Sequence, residues 1–307
     1  MSRANDERLR LGTRGSTLAR WQADWVSSRL EEFGCEVERV LITTGGDTDS
    51  RPIGSIGGQG LFTKEIQRAL LEDRIDLAVH SLKDLPTDPV EGLTLAATPV
   101  RESPFDALVA GQTTSVDRLP KRARVGTGSQ RRRSQLLHLR PDLEVADIRG
   151  NVDTRLRKLA DSEFDAIILA EAGLIRLGLT DRISAVLPAA VMMPAVGQGA
   201  LGLECRTDDS ATRSALVPLN DAETHSCVLA ERALLAELLG GCSAPIGAWC
   251  RVDETQLHLE AVVLSVDGQQ RLFAQTSGPL DCPEAAAAAA ANDLLSQGAA
   301  KLVDASR

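Results

Sequence analysis

Cys242 stands in the segment L-A-E-L-L-G-G-C-S-A-P-I-G, residues 235–247, where a helical pattern stops at two glycines and a proline soon follows. A thiol on so bent a stretch can be a buried filler, half of a disulfide, a metal ligand, a nucleophile or an attachment point. Several arginines sit where a strand hands over to a helix: Arg14 in T-R-G-S, Arg131 and Arg132 after T-G-S, and Arg149 and Arg155 on either side of G-N-V-D-T. Helix N-termini offer unpaired N–H groups and a positive dipole end. A guanidinium adds a planar fork that grips a carboxylate through two bonds. Cations crowded at the positive end of a helix repel one another unless an anion joins them, so the cluster points to a small anionic ligand. The competing reading is a solvated helix face. Of the consecutive Arg131, Arg132 and Arg133, two are expected to face one ligand and the third to face solvent. A second constellation, H-S-L-K-D-L-P at 80–86, brings Ser81, Lys83 and Asp84 to the C-terminal end of a strand, where α/β folds bind ligands. An ionised Asp84 beside a cation can accept N–H bonds and stabilise a developing positive charge; the plainer alternative is an aspartate opening a turn before Pro86. His80 reads as a group that packs or bonds within the strand end.

The elements that must hold these residues follow from periodicity. Residues 9–13 read as a strand, Ser16 as a helix N-cap, and Leu18, Trp21 and Trp25 as one face of the helix that follows. A second strand covers about 36–43. The Gly-rich stretch 43–60 reads as a loop or lid, 61–74 as a helix, and I-D-L-A-V-H-S at 75–81 as a strand buried on both faces. Strand and helix signals alternate onward through L-T-L-A-A-T-P, A-R-V-G-T, L-E-V-A-D-I-R-G and D-A-I-I-L-A-E-A-G, the rhythm of βαβ units with mostly parallel sheets. Beyond Pro194 the pattern changes to a strand, two helical stretches, three alternating segments with an Asp-Gly turn at 267–268, and an alanine-rich helix opening at Pro283. This predicts two α/β units and a smaller α+β domain, with crossings near 99–104 and 188–194.

Composition narrows the function. The chain has 307 residues and 43% hydrophobic content, enough for two or three cores. A net charge of -9 and only eight Phe and Trp residues argue against a nucleic-acid partner. No apolar run reaches the length of a membrane span, and the polar opening M-S-R-A-N-D-E-R-L-R predicts a cytoplasmic protein. Cysteines 35, 205, 227, 242, 250 and 282 form no CxxC pair and no zinc-like group, so free thiols are expected, each except Cys242 a small buried residue. The sequence holds no GxSxG, HExxH or Walker loop, and the first strand–helix junction lacks GxGxxG, so neither a metal nor a nucleotide cofactor is indicated.

Eight stretches taken together carry a resemblance: L-G-T-R-G-S-T-L-A, G-Q-G-L-F-T-K-E, A-V-H-S-L-K-D-L-P, V-G-T-G-S-Q-R-R, R-G-N-V-D-T-R-L, A-G-L-I-R-L-G, P-A-V-G-Q-G-A and G-G-C-S-A-P-I-G, in this order. Over essentially its full length the chain resembles the porphobilinogen deaminase (hydroxymethylbilane synthase) family. The resemblance implies a transferase of haem and tetrapyrrole biosynthesis that joins four porphobilinogen molecules head to tail, releases ammonia each time and frees hydroxymethylbilane. It implies a dipyrromethane cofactor held by a thioether to Cys242. It assigns the acetate and propionate groups of cofactor and substrate to Arg14, Ser16, Lys83, Ser129, Arg131, Arg132, Arg149, Arg155 and Arg176, and catalysis at pyrrole nitrogens to Asp84. The implied fold is two periplasmic-binding-protein-like α/β domains, 1–99 with 200–217 and 105–193, plus a smaller α+β C-terminal domain, 222–307, that carries the cofactor. A monomer without nucleic-acid or membrane partners is implied too. Electrostatic stabilisation of the cation left when ammonia departs fits an ionised Asp84. The runner-up from another class is a non-catalytic two-domain binding protein for anionic metabolites, which accounts for the arginines but not for Cys242.

Three departures from the family pattern stand out. Gln59 replaces a lysine common in the G-G-K-G-L-F loop, removing one cation. Ser103-Pro104-Phe105-Asp106 replaces D-P-R-D, which puts an ion pair of that segment in doubt. Asp153 adds an acidic group beside the R-G-N segment and reads as a cap or first-turn residue.

Overall fold

The computed structural model describes residues 8–43, 63–111, 113–239 and 244–306. The chain divides into two compact units: residues 1–101 with 200–225, and 102–199 with 226–307.

The first unit is built on a five-stranded sheet in the order β2-β1-β3-β10-β4. Its strands are β1 (Leu9–Thr13), β2 (Val37–Leu41), β3 (Leu77–Ser81), β4 (Leu93–Ala97) and β10 (Leu201–Arg206). Helices α1 (Thr17–Glu32), α2 (Lys64–Leu71) and α6 (Ser210–Leu216) belong to the same unit. Leu11, Val26, Leu30, Leu77, Leu203 and Cys205 form one buried cluster; Ile66, Leu70 and Ile75 lie in another. The helix expected over 61–74 is observed from Lys64 to Leu71, and the Gly-rich stretch lies almost wholly outside the described residues. The strand expected at 75–81 is observed at Leu77–Ser81, with Leu77 to His80 buried.

The second unit contains a five-stranded sheet, β7-β6-β8-β5-β9, and a three-stranded sheet, β11-β12-β13. The larger sheet uses β5 (Asp106–Ala110), β6 (Arg124–Gly126), β7 (Glu144–Ala146), β8 (Ala166–Ala170) and β9 (Ala185–Leu187), with helices α3 (Gln130–Leu139), α4 (Val152–Ala160) and α5 (Glu171–Arg176). The smaller sheet is antiparallel throughout: β11 (Ile246–Asp253), β12 (Gln256–Leu264) and β13 (Arg271–Pro279). Helix α7 (Ala222–Glu237) precedes it, and α8 (Pro283–Ser296) and α9 (Ala299–Asp304) follow. Four alanines of α8 (286, 287, 290 and 291) are buried at helical spacing, with the last three in the core formed with Leu257, Leu259 and Leu294. The alanine run is therefore a close-packing face.

The sheets are mixed where mostly parallel ones were expected. β10 runs antiparallel to both β3 and β4, and β5 runs antiparallel to both β8 and β9. Each of these is the strand formed directly after the chain passes from one unit to the other. A strand buried on both faces shows the same apolar run in either direction, so periodicity cannot reveal its sense.

Candidate functional site

In the first unit, β1 ends at Thr13 and Arg14 follows, half-buried, at the entrance to α1. Ser16 caps that helix as expected: its Oγ accepts the Ala19 N–H at 3.3 Å. β3 delivers Ser81, Lys83 and Asp84. Ser81 Oγ accepts an N–H from Gln22 of α1 at 2.8 Å. A 3-10 turn at Leu82–Asp84 then buries Leu82 and leaves Lys83 half-buried and Asp84 exposed. His80 is buried and bonded within the sheet, its Nε2 3.0 Å from Glu204 Oε2, while Gln67 Nε2 donates to the other Glu204 oxygen at 3.0 Å.

In the second unit, Ser129 caps α3, its Oγ accepting the Arg132 N–H at 3.4 Å. Arg131 and Arg132 then point inward, only 4% and 6% exposed. Between them lies Asp106, the first residue of β5, with no exposed surface. Arg131 Nη1 donates to Asp106 Oδ2 at 2.8 Å and to the Met193 carbonyl at 2.6 Å. Arg132 Nε and Nη2 donate to Asp106 Oδ1 at 3.0 and 2.7 Å, and its Nη1 donates to the Ile168 carbonyl at 3.0 Å. Gln198 Nε2 donates to the same Oδ1 at 3.0 Å and to the Pro104 carbonyl at 2.7 Å. Burial alone pushes the Asp106 carboxyl up, but the fields of Arg131 and Arg132 overcome it and hold the group well below the usual carboxylate range. Burial draws the Arg131 guanidinium down against the pull of Asp106. Arg133 does not face solvent as expected: it is half-buried and donates to the Val145 carbonyl at 2.6 Å.

Asn151 caps α4 by accepting the Thr154 N–H at 3.0 Å, leaving Asp153 as a first-turn residue. Arg155 Nε donates to the Gly150 carbonyl at 2.8 Å, and Arg149 is half-buried nearby in sequence. Arg176 closes α5 at 9% exposure and donates to the Gly199 carbonyl at 2.6 Å. Burial pulls its guanidinium down to about 10, with Glu102 opposing. Gly199 has a φ of +87°, and a Cβ there would lie 2.3 Å from the Glu102 carbonyl, so the P-A-V-G-Q-G-A segment needs glycine at this point. Cys242 lies outside the described residues, as does Gln59. A cavity of about 710 Å³ in this unit, lined by Val109, Thr114, Phe164, Asp165 and Arg182 among others, contains none of the expected site residues.

The 103–106 departure is resolved within the unit. Ser103 hydroxyl bonds to the Glu171 carboxylate, and Phe105 meets Trp249 edge-on with centroids 5.3 Å apart. Asp106 keeps an ion pair, with both arginines of α3. Asp106 and Gln198 were not among the expected site residues. The available signal was an aspartate opening the apolar run D-A-L-V-A, which needs a buried cation.

Residues 9–214 match the family model described as "Porphobilinogen deaminase, dipyromethane cofactor binding domain", and residues 225–296 match "Porphobilinogen deaminase, C-terminal domain". The chain belongs to the porphobilinogen deaminase family. Porphobilinogen deaminase of Geobacter sulfurreducens is 49% identical over 294 residues, spanning 95% of this chain and 92% of the relative. That of Syntrophotalea carbinolica is 47% identical over 298 residues, 96% and 95% of the two chains. That of Trichlorobacter lovleyi is 51% identical over 275 residues, 89% and 88%. Among solved structures, a putative methionine-binding lipoprotein of Bacillus subtilis is similar at a TM-score of 0.45 and 13% identity, over 70% of this chain and 91% of that one.

The residues present fit the cofactor that names the porphobilinogen deaminase domain. Two buried guanidiniums against one buried carboxylate leave a net positive charge, and Arg131 Nε is buried with no hydrogen-bond partner among the described residues. A buried unpaired donor on a cation is unfavourable until an anionic acceptor reaches it, and carboxylate-bearing pyrroles supply such acceptors.

Proposed function

We propose that this chain is a transferase that joins four porphobilinogen molecules head to tail, releasing ammonia at each addition and hydroxymethylbilane at the end. The dipyrromethane cofactor is held by a thioether to Cys242, in the C-terminal part, 222–307. When bound, it supplies a pyrrole α-carbon on which the chain grows. Arg14, Ser16, Lys83, Ser129, Arg131, Arg132, Arg149, Arg155 and Arg176 bind acetate and propionate groups. Asp84 accepts pyrrole N–H bonds and stabilises the positive charge that develops as ammonia leaves. The observation that carries this reading is the buried, net-positive cluster of Arg131, Arg132 and Asp106 in a chain whose family model is a cofactor-binding domain. The same reading has the enzyme act in the cytoplasm as a monomer, without nucleic-acid or membrane partners. No helix among the described residues is long and apolar enough to cross a membrane. The binding-protein alternative has only a weak likeness of fold behind it.

The test is intact mass and turnover. Purified chain should exceed its bare mass by one dipyrromethane, react with Ehrlich's reagent, and consume porphobilinogen with release of ammonia. The Cys242→Ser variant should show the bare mass and no colour. A bare mass in an active preparation removes the tether from Cys242; porphobilinogen left unconsumed by a cofactor-bearing preparation removes the reaction.

A further inference from the structure

Strand β3, which delivers Lys83 and Asp84, is gripped on both faces just before it ends. Successive residues of a strand point to opposite faces, and the last two of β3 are both polar: His80, buried, and Ser81, half-buried. Ser81 Oγ is bonded to the side-chain amide of Gln22 in α1. His80 Nε2 lies 3.0 Å from Glu204 Oε2 of β10, and the other oxygen, Oε1, accepts from Gln67 Nε2 of α2 at 3.0 Å. One carboxylate, on a residue 6% exposed, thus joins β3, β10 and α2. Glu204 pairs with Ala78, so its side chain and that of His80, two residues along, share a face within reach of each other. Gly202 stands opposite His80, and a Cβ there would lie 2.8 Å from Leu82 Cδ1, so the turn seats its buried leucine on β10. The Leu82 N–H donates to the Ala200 carbonyl at 3.0 Å, and only Lys83 then separates this anchorage from Asp84. Among the described residues no lysine or arginine pairs with Glu204. A buried carboxylate held by an imidazole and an amide costs stability that an apolar side chain in its place would not. A group kept against local stability points to a function.

We propose that Glu204 is a positioning residue for the reaction. Through His80 it fixes the end of β3, and so sets where Asp84 stands against pyrrole N–H groups. Gln67 holds the second oxygen, so the carboxylate cannot turn without breaking a bond. The inference rests on the proposed function, since Glu204 acts only through Asp84.

A double-mutant cycle tests that dependence. The holoenzymes compared are the parent, Glu204→Leu, Glu204→Gln, Asp84→Ala and the double variant of Asp84→Ala with Glu204→Leu. Intact mass of quenched samples reads the first addition, which raises the mass by one porphobilinogen less one ammonia; rates are counted per cofactor-bearing chain, and thermal melting reads folding. Glu204→Leu should slow addition at saturating porphobilinogen about tenfold and move KM much less. Glu204→Gln still accepts from Gln67 and offers a donor to the other His80 tautomer, so it should recover most of the rate. With Asp84 already replaced, Glu204→Leu should cause no further loss; the same tenfold loss in both backgrounds overturns the proposal. An unchanged rate in Glu204→Leu, or a loss confined to KM, also overturns it. Cys205→Ala, buried on the opposite face of β10, should lower the melting temperature and leave the rate alone. An equal loss of rate there would show that activity merely follows stability, which sinks the positioning role. Should Glu204→Leu fail to fold, His80→Leu takes its place in the cycle. An unmutated chain that adds no porphobilinogen sinks the proposed function; an active chain with independent effects of Glu204 and Asp84 sinks only the role given to Glu204.

Discussion

Arg176 is held at 9% exposure with its guanidinium drawn down to about 10 by burial, against the opposing field of Glu102. A buried cation in this state costs stability that an apolar side chain of similar length does not. Arg176→Met should therefore leave the melting temperature unchanged or raise it, while porphobilinogen turnover falls about tenfold or more, the scale of a charge-assisted bond. A parallel loss of melting temperature and activity assigns Arg176 to the scaffold instead. Asp84 presents the reverse case, since an exposed side chain at the end of a turn contributes little packing. Asp84→Ala should fold as the parent does and lose most of its turnover; near-normal rates would take it out of the catalytic role. The pairing need of Arg131 and Arg132 was legible because guanidiniums at a strand-to-helix junction conflict with the helix dipole unless an anion joins them, and Asp106 does. Asp106 was not singled out, because an aspartate opening D-A-L-V-A also looks like the polar end of a strand. Its two arginine partners lie 25 and 26 residues away and Gln198 lies 92 away, and only folding brings them together.

The elements repeat that contrast between local and distant information. The caps at Ser16, Ser129 and Asn151 and the Asp-Gly turn involve neighbours within a few residues, and side-chain chemistry announces them. What the turn docks against has no local signature. Gly268 has a φ of +74°, and a Cβ there would lie 2.6 Å from both the Ser134 carbonyl and the His138 N–H nitrogen of α3. His138 Nδ1 sits 2.8 Å from the Gly268 carbonyl. The β12–β13 hairpin thus presses on the last turns of the helix whose first turn carries Arg131 and Arg132. Gly268→Ala combines backbone strain with a clash against helix backbone and should destabilise by about 1–3 kcal/mol in chemical denaturation. It should also raise KM more than it lowers kcat, since the catalytic role proposed for Asp84 lies in the other unit. A variant as stable as the parent would show that the hairpin yields and the helix does not depend on it.

For the whole molecule, the alternating pattern foretold α/β units and a distinct C-terminal sheet. It gave no sign of how completely each unit is closed by chain returning from far away. The first unit is completed by residues 200–225, and that return is fastened at Thr98: its N–H donates to Asn220 Oδ1 at 2.9 Å, its carbonyl accepts from Asp221, and its hydroxyl lies 2.9 Å from His225 Nδ1. Burial holds the His225 imidazole below its ordinary value of 6.5. Between that lowered value and 6.5 the unfolded chain takes up a proton that the folded chain refuses. The stabilisation is fully present above pH 6.5 and is lost as the pH falls through the folded value. Asp106 in the second unit is depressed too, but from 3.8, so its contribution persists until far more acid conditions. Mild acid should consequently loosen one unit and not the other. Hydrogen exchange at about pH 5 against about pH 8, corrected for the intrinsic rate, should show lost protection in β4 and in residues 217–225, with β5 and α3 unchanged. His225→Gln, which keeps a hydrogen-bonding group without a titrating one, should abolish the difference between the two conditions. Equal loosening of both units in the parent, or loosening that survives in His225→Gln, would show that the return segment is not what acid releases.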